Sequence, residues 1–195
     1  MSSSADHGAE IIVHLARLAH SGASDARLTP AQWTALRFFA RANRLSRTPS
    51  AFSEFHATTR GTASQTVKSL VALGLLERHR NEDDGRSIRF ELTPAGHEVL
   101  QQDPLKALAR ALEALPQPTR DTLFAALRQV ACDLADDRQS PAFGTCADCA
   151  HCESTSEAPA FCRCAAATLG ASDMGALCIE FSPRRQTRKD GEHLI

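Results

Sequence analysis

Apolar residues recur along the chain in two rhythms, and the changes between them mark out the elements. Ile11, Leu15, Leu18 and Ala19 repeat at helical spacing, which predicts a first helix from Glu10 to about His20. Ser21 to Arg27 is rich in small residues and reads as a loop. Leu28-Thr29-Pro30-Ala31-Gln32-Trp33 is a helix start. Thr29 caps, Pro30 suits the first turn, Gln32 completes a capping box, and Leu28 can staple onto Trp33. Leu36, Phe39 and Ala40 carry the apolar face of this second helix to about Asn43, and Thr48-Pro49 opens a short third one that buries Phe52 and Phe55.

Thr59-Arg60-Gly61-Thr62 reads as the turn and cap of a fourth helix. Its apolar stripe is Ala63, Val67, Leu70 and Val71, and its other face carries Gly61, Gln65, Lys68 and Ser69. Gly74 ends it. The rhythm then changes to two. Leu75 to Arg80 is a short strand, Asn81 to Gly85 has turn composition, and Arg86 to Leu92 alternates with Ile88, Phe90 and Leu92 inward. Thr93-Pro94 starts a helix predicted to run to about Ala114, and Leu115 to Pro118 breaks it. Thr119 then caps a last long helix with Leu123, Leu127, Val130 and Leu134 on one face. A polar tail from Ser182 to Ile195 is expected to be disordered.

Charge sharpens this layout. The net charge of −1 says little, but Thr29 to Gly96 holds ten Lys/Arg against six Asp/Glu. A basic middle inside a near-neutral chain is the asymmetry of a DNA-binding module. No run of apolar residues is long enough to span a membrane, and Met1-Ser-Ser-Ser-Ala-Asp-His is not a secretion signal, so a cytoplasmic protein is expected.

Three helices, a hairpin and then long helices follow the order of a winged helix-turn-helix. The chain resembles the MarR (multiple antibiotic resistance regulator) family in Leu28-Thr29-Pro30-Ala31-Gln32-Trp33, Thr59-Arg60-Gly61-Thr62-Ala63-Ser64, Leu73-Gly74-Leu75-Leu76-Glu77-Arg78, Asp83-Asp84-Gly85-Arg86-Ser87 and Leu92-Thr93-Pro94-Ala95-Gly96. The likeness covers about residues 10 to 138. It implies a mainly α fold with a small hairpin wing, long terminal helices for dimerisation, and a homodimer on double-stranded DNA with a roughly palindromic operator. The expected layout is a dimerisation helix over 1–28, a DNA-binding domain over 29–96, dimerisation helices over 97–140, a cysteine-rich segment over 141–181 and the tail over 182–195.

In the fourth helix Gln65 and Lys68 are best placed for base edges in a major groove. Arg60, Thr62 and Ser64 suit phosphate contacts. The resemblance assigns Arg86 to the minor groove at the wing tip, where many family members carry two adjacent arginines; here the first is Gly85. Arg80 and Arg89 would grip phosphate nearby. The apolar sides of the first and last helices (Ile11, Leu15 and Leu18, then Leu108, Leu112, Leu123, Leu127 and Val130) are the expected dimer surface.

The cysteines are the remaining feature. Six of the seven fall between Cys146 and Cys178, in a reducing compartment where structural disulfides are disfavoured, so they read first as metal ligands. Cys146 and Cys149 form a pair two residues apart that points both sulfurs at one centre, as do Cys149 and Cys152. One candidate set is Cys146, Cys149, Cys152 and a distal cysteine, in the manner of ferredoxin clusters. The preferred set is Cys146, Cys149, Cys162 and Cys178, spaced C-x2-C-x12-C-x15-C, which looks like the C-terminal extension of some MarR-type regulators; Cys152 and Cys164 are alternates. An iron–sulfur cluster is the preferred cofactor and zinc the alternative. His151 reads as a loop residue and Cys132 as a packing residue on the last helix.

The leading expectation is a DNA-binding repressor whose cluster senses redox state, oxygen, nitric oxide or iron and shifts the separation of the two DNA-reading lobes. The alternative is a small-molecule-responsive repressor with a structural zinc site. A thiol oxidoreductase or electron carrier is the remote third reading. Cys146-Ala-Asp-Cys149 lacks the strand–loop–helix setting of a thioredoxin motif, and no triad or phosphate loop appears, so no enzyme is expected.

Overall fold

The computed structural model describes residues 3–21, 28–80, 88–154 and 159–184. The elements run α1 (Ser4–Ser21), α2 (Pro30–Arg41), α3 (Pro49–Phe55), α4 (Arg60–Ala72), β1 (Leu76–Arg80), β2 (Ile88–Leu92), α5 (Pro94–Leu100), α6 (Leu105–Glu113) and α7 (Gln117–Asp137). This is a mainly helical fold with a small antiparallel wing, a winged helix-turn-helix. In the wing, Leu76 faces Leu92 and Arg80 faces Ile88.

The start of α2 forms as its residues dictate. Thr29 Oγ1 accepts from the Gln32 amide, and Gln32 Oε1 accepts from the Thr29 amide at 2.7 Å. Leu28 and Trp33 are both buried in the one core cluster, consistent with a staple. Threonine caps also begin α3, α4 and α5. The core is aromatic: Phe38 meets Phe39 edge-on at 5.3 Å between centroids and lies 5.6 Å from Phe52. Ala63, Val67 and Leu70 bring α4 onto this core. Burying each large side chain stabilises the fold by about 1.5–3 kcal/mol.

The structure corrects several boundaries. The first helix begins at Ser4 rather than Glu10. The helix predicted from Pro94 to Ala114 is two helices, broken at residues 101–104. Pro104 supplies no N–H to continue α5. Asp103 makes the new start, accepting from the Leu105 amide at 2.8 Å and pairing with Arg37 at 2.8 Å in a largely buried ion pair. The last helix starts at Gln117, with Thr119 inside it rather than capping, because Pro118 is tolerated in a first turn. Val71 closes the predicted stripe of α4 but is 38% exposed. On β2 the five residues are all half-buried, although Phe90 and Leu92 do pack on the core. The loop at 22–27 and the wing turn at 81–87 lie outside the described residues.

The cysteine-rich segment is also folded. β3 (Gly144–Thr145) pairs with β7 (Leu177–Cys178), and β4 (Cys152–Glu153), β5 (Phe161–Cys162) and β6 (Ala167–Thr168) make a three-stranded sheet. A turn of 3-10 helix covers Cys146–Asp148, and α8 (Ala171–Met174) precedes β7. At Gly144 a Cβ would stand 2.5 Å from the Phe181 ring, so only glycine admits that ring against β3. Ser182, assigned from sequence to the tail, instead accepts through its carbonyl from the Ala150 amide at 2.7 Å. Arg184 donates to the carbonyls of Cys149 and Cys152 at 3.0 and 2.8 Å. The rest of the expected tail, 185–195, lies outside the described residues.

Candidate nucleic-acid interface and cysteine centre

α4 turns its apolar stripe inward, which leaves its other face outward. Arg60, Thr62, Gln65 and Lys68 are exposed there, and Ser64 is half-buried. Lys68 and Gln65 are therefore as accessible as their helical positions predicted. Thr62 is more constrained: its amide donates to Thr59 Oγ1 at 3.2 Å and the two hydroxyls lie 2.9 Å apart. Its hydroxyl serves the cap as well as facing solvent. α4 is locked to the start of α2 by Gln32 Nε2 donating to Ser69 Oγ at 3.0 Å. Arg80 is exposed at the end of β1 and Arg89 is half-buried on β2. Arg86 lies outside the described residues.

On α1 and α7, Ile11, Ile12, Leu15, Leu127, Val130 and Leu134 are each at least 40% exposed in the single chain. Leu108, Leu112 and Leu123 are half-buried, and α1 packs on α6. Among the described residues no helix is long and apolar enough to cross a membrane.

Cys146, Cys149, Cys152 and Cys178 are buried, Cys162 is half-buried and Cys164 is exposed; all are free thiols. Burial pushes the Cys146 thiol up to about 11, helped by the neighbouring Cys178, Cys162, Cys149 and Cys152. Cys178 is also raised, first by burial, against hydrogen bonds from the Asn43 side chain and the Glu180 backbone that favour its thiolate, and with Cys149 and Cys162 close enough to add to the rise. Cys164 is raised by burial of its sulfur, then by Glu180, Cys162 and Cys149. Of the six pairs within Cys146, Cys149, Cys162 and Cys178, five thus sense one another's charge. Cys152 acts on Cys146, and Cys164 senses Cys162 and Cys149. The Ala165 amide donates to the Cys162 sulfur at 3.4 Å.

Cys146, Cys162, Cys164 and Cys178 line one cavity of about 320 Å³, closed on its other side by Asn43 and Arg44. Among the described residues no three His, Cys, Asp or Glu side chains converge tightly enough to hold a single ion. His151 is half-buried and its carbonyl accepts from the Arg163 amide at 2.9 Å. Cys132 sits half-buried on α7, its thiol raised by burial and then by Asp136 and Asp133.

The cysteine segment does not hang from α7. It docks on the turn between α2 and α3. The Asn43 amide donates to the Leu177 carbonyl and the Ile179 amide to Ser46 Oγ, both at 2.8 Å. Leu177 joins the main core, and Phe143 packs on Phe38 and Phe55. Asn43, Ser46 and Arg184 thus build the site, and nothing in the sequence marked them. Ser46 and Ile179 are 133 positions apart, beyond any periodicity or spacing rule.

Residues 28–87 match the family model described as MarR family. This segment is therefore similar to the winged helix of that family. Solved structures agree on the fold. A MepR–DNA complex from S. aureus is 16% identical with a TM-score of 0.55, covering 68% of this chain and 96% of its own. A MarR family protein from Bacillus stearothermophilus is 19% identical with a TM-score of 0.52, covering 69% and 99%. A probable transcriptional regulator from Pseudomonas aeruginosa is 25% identical with a TM-score of 0.50, covering 66% and 97%. No curated protein matches the chain.

Proposed function

We propose that the protein is a homodimeric, DNA-binding transcriptional repressor whose C-terminal cysteines hold an iron–sulfur cluster. The observation that carries the cluster is the arrangement of thiols around a common cavity on a MarR-type winged helix. Several thiols on one cavity wall suit the thiolate ligation of an iron–sulfur centre, with zinc as the alternative. Cys146, Cys149, Cys162 and Cys178 are the preferred ligands by their C-x2-C-x12-C-x15-C spacing, and three of them, Cys146, Cys162 and Cys178, line the cavity together with Cys164. The donors already aimed at sulfur also fit: the Ala165 amide at Cys162, and Asn43 with the Glu180 backbone at Cys178. When bound, a cluster supplies a centre that oxidants, nitric oxide or iron shortage can alter.

For DNA, Gln65 and Lys68 read base edges, while Arg60, Thr62, Ser64, Arg80 and Arg89 hold phosphates; Arg86 enters the minor groove. The exposed apolar residues of α1 and α7 pair two copies and set two α4 helices about one DNA turn apart on a roughly palindromic site. The related MepR is recorded bound to DNA. The protein works in the cytoplasm.

Anaerobic purification tests the cofactor. A brown protein with broad visible absorption and matched iron and sulfide is expected. A colourless protein carrying zinc, or no metal at all, overturns the cluster.

A further inference from the structure

The turn between α2 and α3 is hydrogen-bonded on both sides, and each side reaches a different functional region. Toward the cysteines, the Ala42 backbone bridges to Leu177, and the Asn43 amide and Ser46 Oγ take the bonds to Leu177 and Ile179 described above. Asn43 and Cys178 line the same cavity, and the residues bonded to the turn, Leu177 and Ile179, flank Cys178 in the chain. Asn43 Oδ1 meanwhile accepts from the amides of Leu45 and Ser46 at 3.1 and 2.9 Å, so the same residue also shapes the turn. Toward the wing, the Phe90 amide donates to the Arg47 carbonyl at 2.9 Å. Arg47 Nη1 pairs with Glu91 at 2.9 Å, and its Nε holds the Ala42 carbonyl at 3.0 Å. Ser46 is fully buried and Asn43 nearly so, so neither bond can be exchanged freely for water.

We propose that residues 42–47 are a transmission strap: the state of the cysteine centre at Cys178 is passed through Asn43, Ser46 and Arg47 to β2, and so sets how the wing is held against DNA. The inference rests on the metal reading for its signal but not for its wiring. Leu177 and Ile179 flank Cys178 and are bonded to Asn43 and Ser46, so filling or losing the centre at Cys178 shifts the backbone that the turn holds. Asn43 cannot move without disturbing the Leu45 and Ser46 amides it holds. Arg47 then carries the shift to the Phe90 amide and to Glu91, neighbours of the phosphate-facing Arg89. Asn43, Ser46 and Arg47 are positioning residues; none touches metal or DNA. The route runs within one protomer and needs no change in dimer geometry.

The test follows amide hydrogen exchange in the full chain. Cys146→Ser/Cys149→Ser breaks the centre at two cysteines that are not bonded to the turn. Exchange at Asn43, Ile179 and Phe90 should then rise roughly tenfold or more, while the Val67 amide in α4 stays protected. Faster exchange at Ile179 with Phe90 unchanged overturns the strap. Ser46→Ala keeps all six thiols and should speed exchange at Phe90. Should the double substitution unfold the chain, seen as lost protection at Val67, Ser46→Ala alone decides, and unchanged exchange at Phe90 overturns the proposal. Metal analysis of the unaltered chain separates the two ideas. A chain without metal defeats the cluster, while the Phe90 result still judges the strap.

Discussion

The winged helix and the cysteine module are held together by different physics. Between Leu28 and Leu76 the core draws on Trp33, Leu36, Phe38, Phe39, Phe52, Val67 and Leu70, all buried and in mutual contact. Among the described residues between Phe143 and Arg184 the buried apolar residues other than cysteine reduce to Leu177, with Phe143 and Ile179 leaning on the main core. Its strands are two residues long. A region that small cannot bury enough apolar surface to fold alone. It borrows a core from its neighbour, and its own interior is mostly sulfur. A part built this way can respond to whatever binds the sulfur, because little else holds it; a part built on stacked phenylalanines cannot.

The largest effect expected of this contrast is at Phe52. Phe52→Ala should lower the global unfolding free energy by about 3–5 kcal/mol in denaturant titration, and the cysteine module should be lost with the core it leans on. By contrast, Cys146→Ser/Cys149→Ser should leave the helical unfolding transition within about 1 kcal/mol of the unaltered chain while abolishing bound metal. A core transition that falls as far as that of Phe52→Ala would erase the distinction. Lys68→Ala should cost about 1–3 kcal/mol of operator affinity in a gel-shift titration, with melting unchanged. Unchanged affinity would remove α4 from the DNA interface. Thr59→Ala, which deletes the cap of α4, should cost about 1 kcal/mol of stability. Smallest at neutral pH is a titration effect. The metal-free Cys146 thiol is raised to about 11, so its contribution is complete below its ordinary value and is lost as pH climbs toward 11. Metal-free protein should therefore lose Ile179 amide protection in alkaline buffer before Val67 protection changes. Simultaneous loss would mean the two regions unfold as one.

Much of the winged helix was legible because its signals are local. The box at Thr29 and Gln32, the proline starts at Pro30, Pro49 and Pro94, and the stop at Gly74, which adopts a φ of 69°, all act within one turn of chain. The break at Asp103-Pro104 was missed although the proline was visible. An apolar pattern continuous in sequence outweighed it, and the Arg37 partner that fixes Asp103 lies 66 positions away. The crowding of the cysteines was legible in their spacing. The module's support is not: Arg184 stands in what read as tail, and Asn43 and Ser46 look like ordinary turn residues.

By itself, the sequence determined the order of helices, the hairpin, the polar face of α4 and the crowding of thiols, since each depends on neighbours three or four residues away or on composition. Only the tertiary structure decided where the cysteine module sits. It turns back from α7 and seats Leu177 and Ile179 on the turn at Asn43–Ser46, because Leu177 and Phe143 need apolar cover that the module cannot supply. That placement follows from matching two surfaces more than 130 positions apart in the chain, a match written in shape and hydrogen bonds rather than in any local pattern.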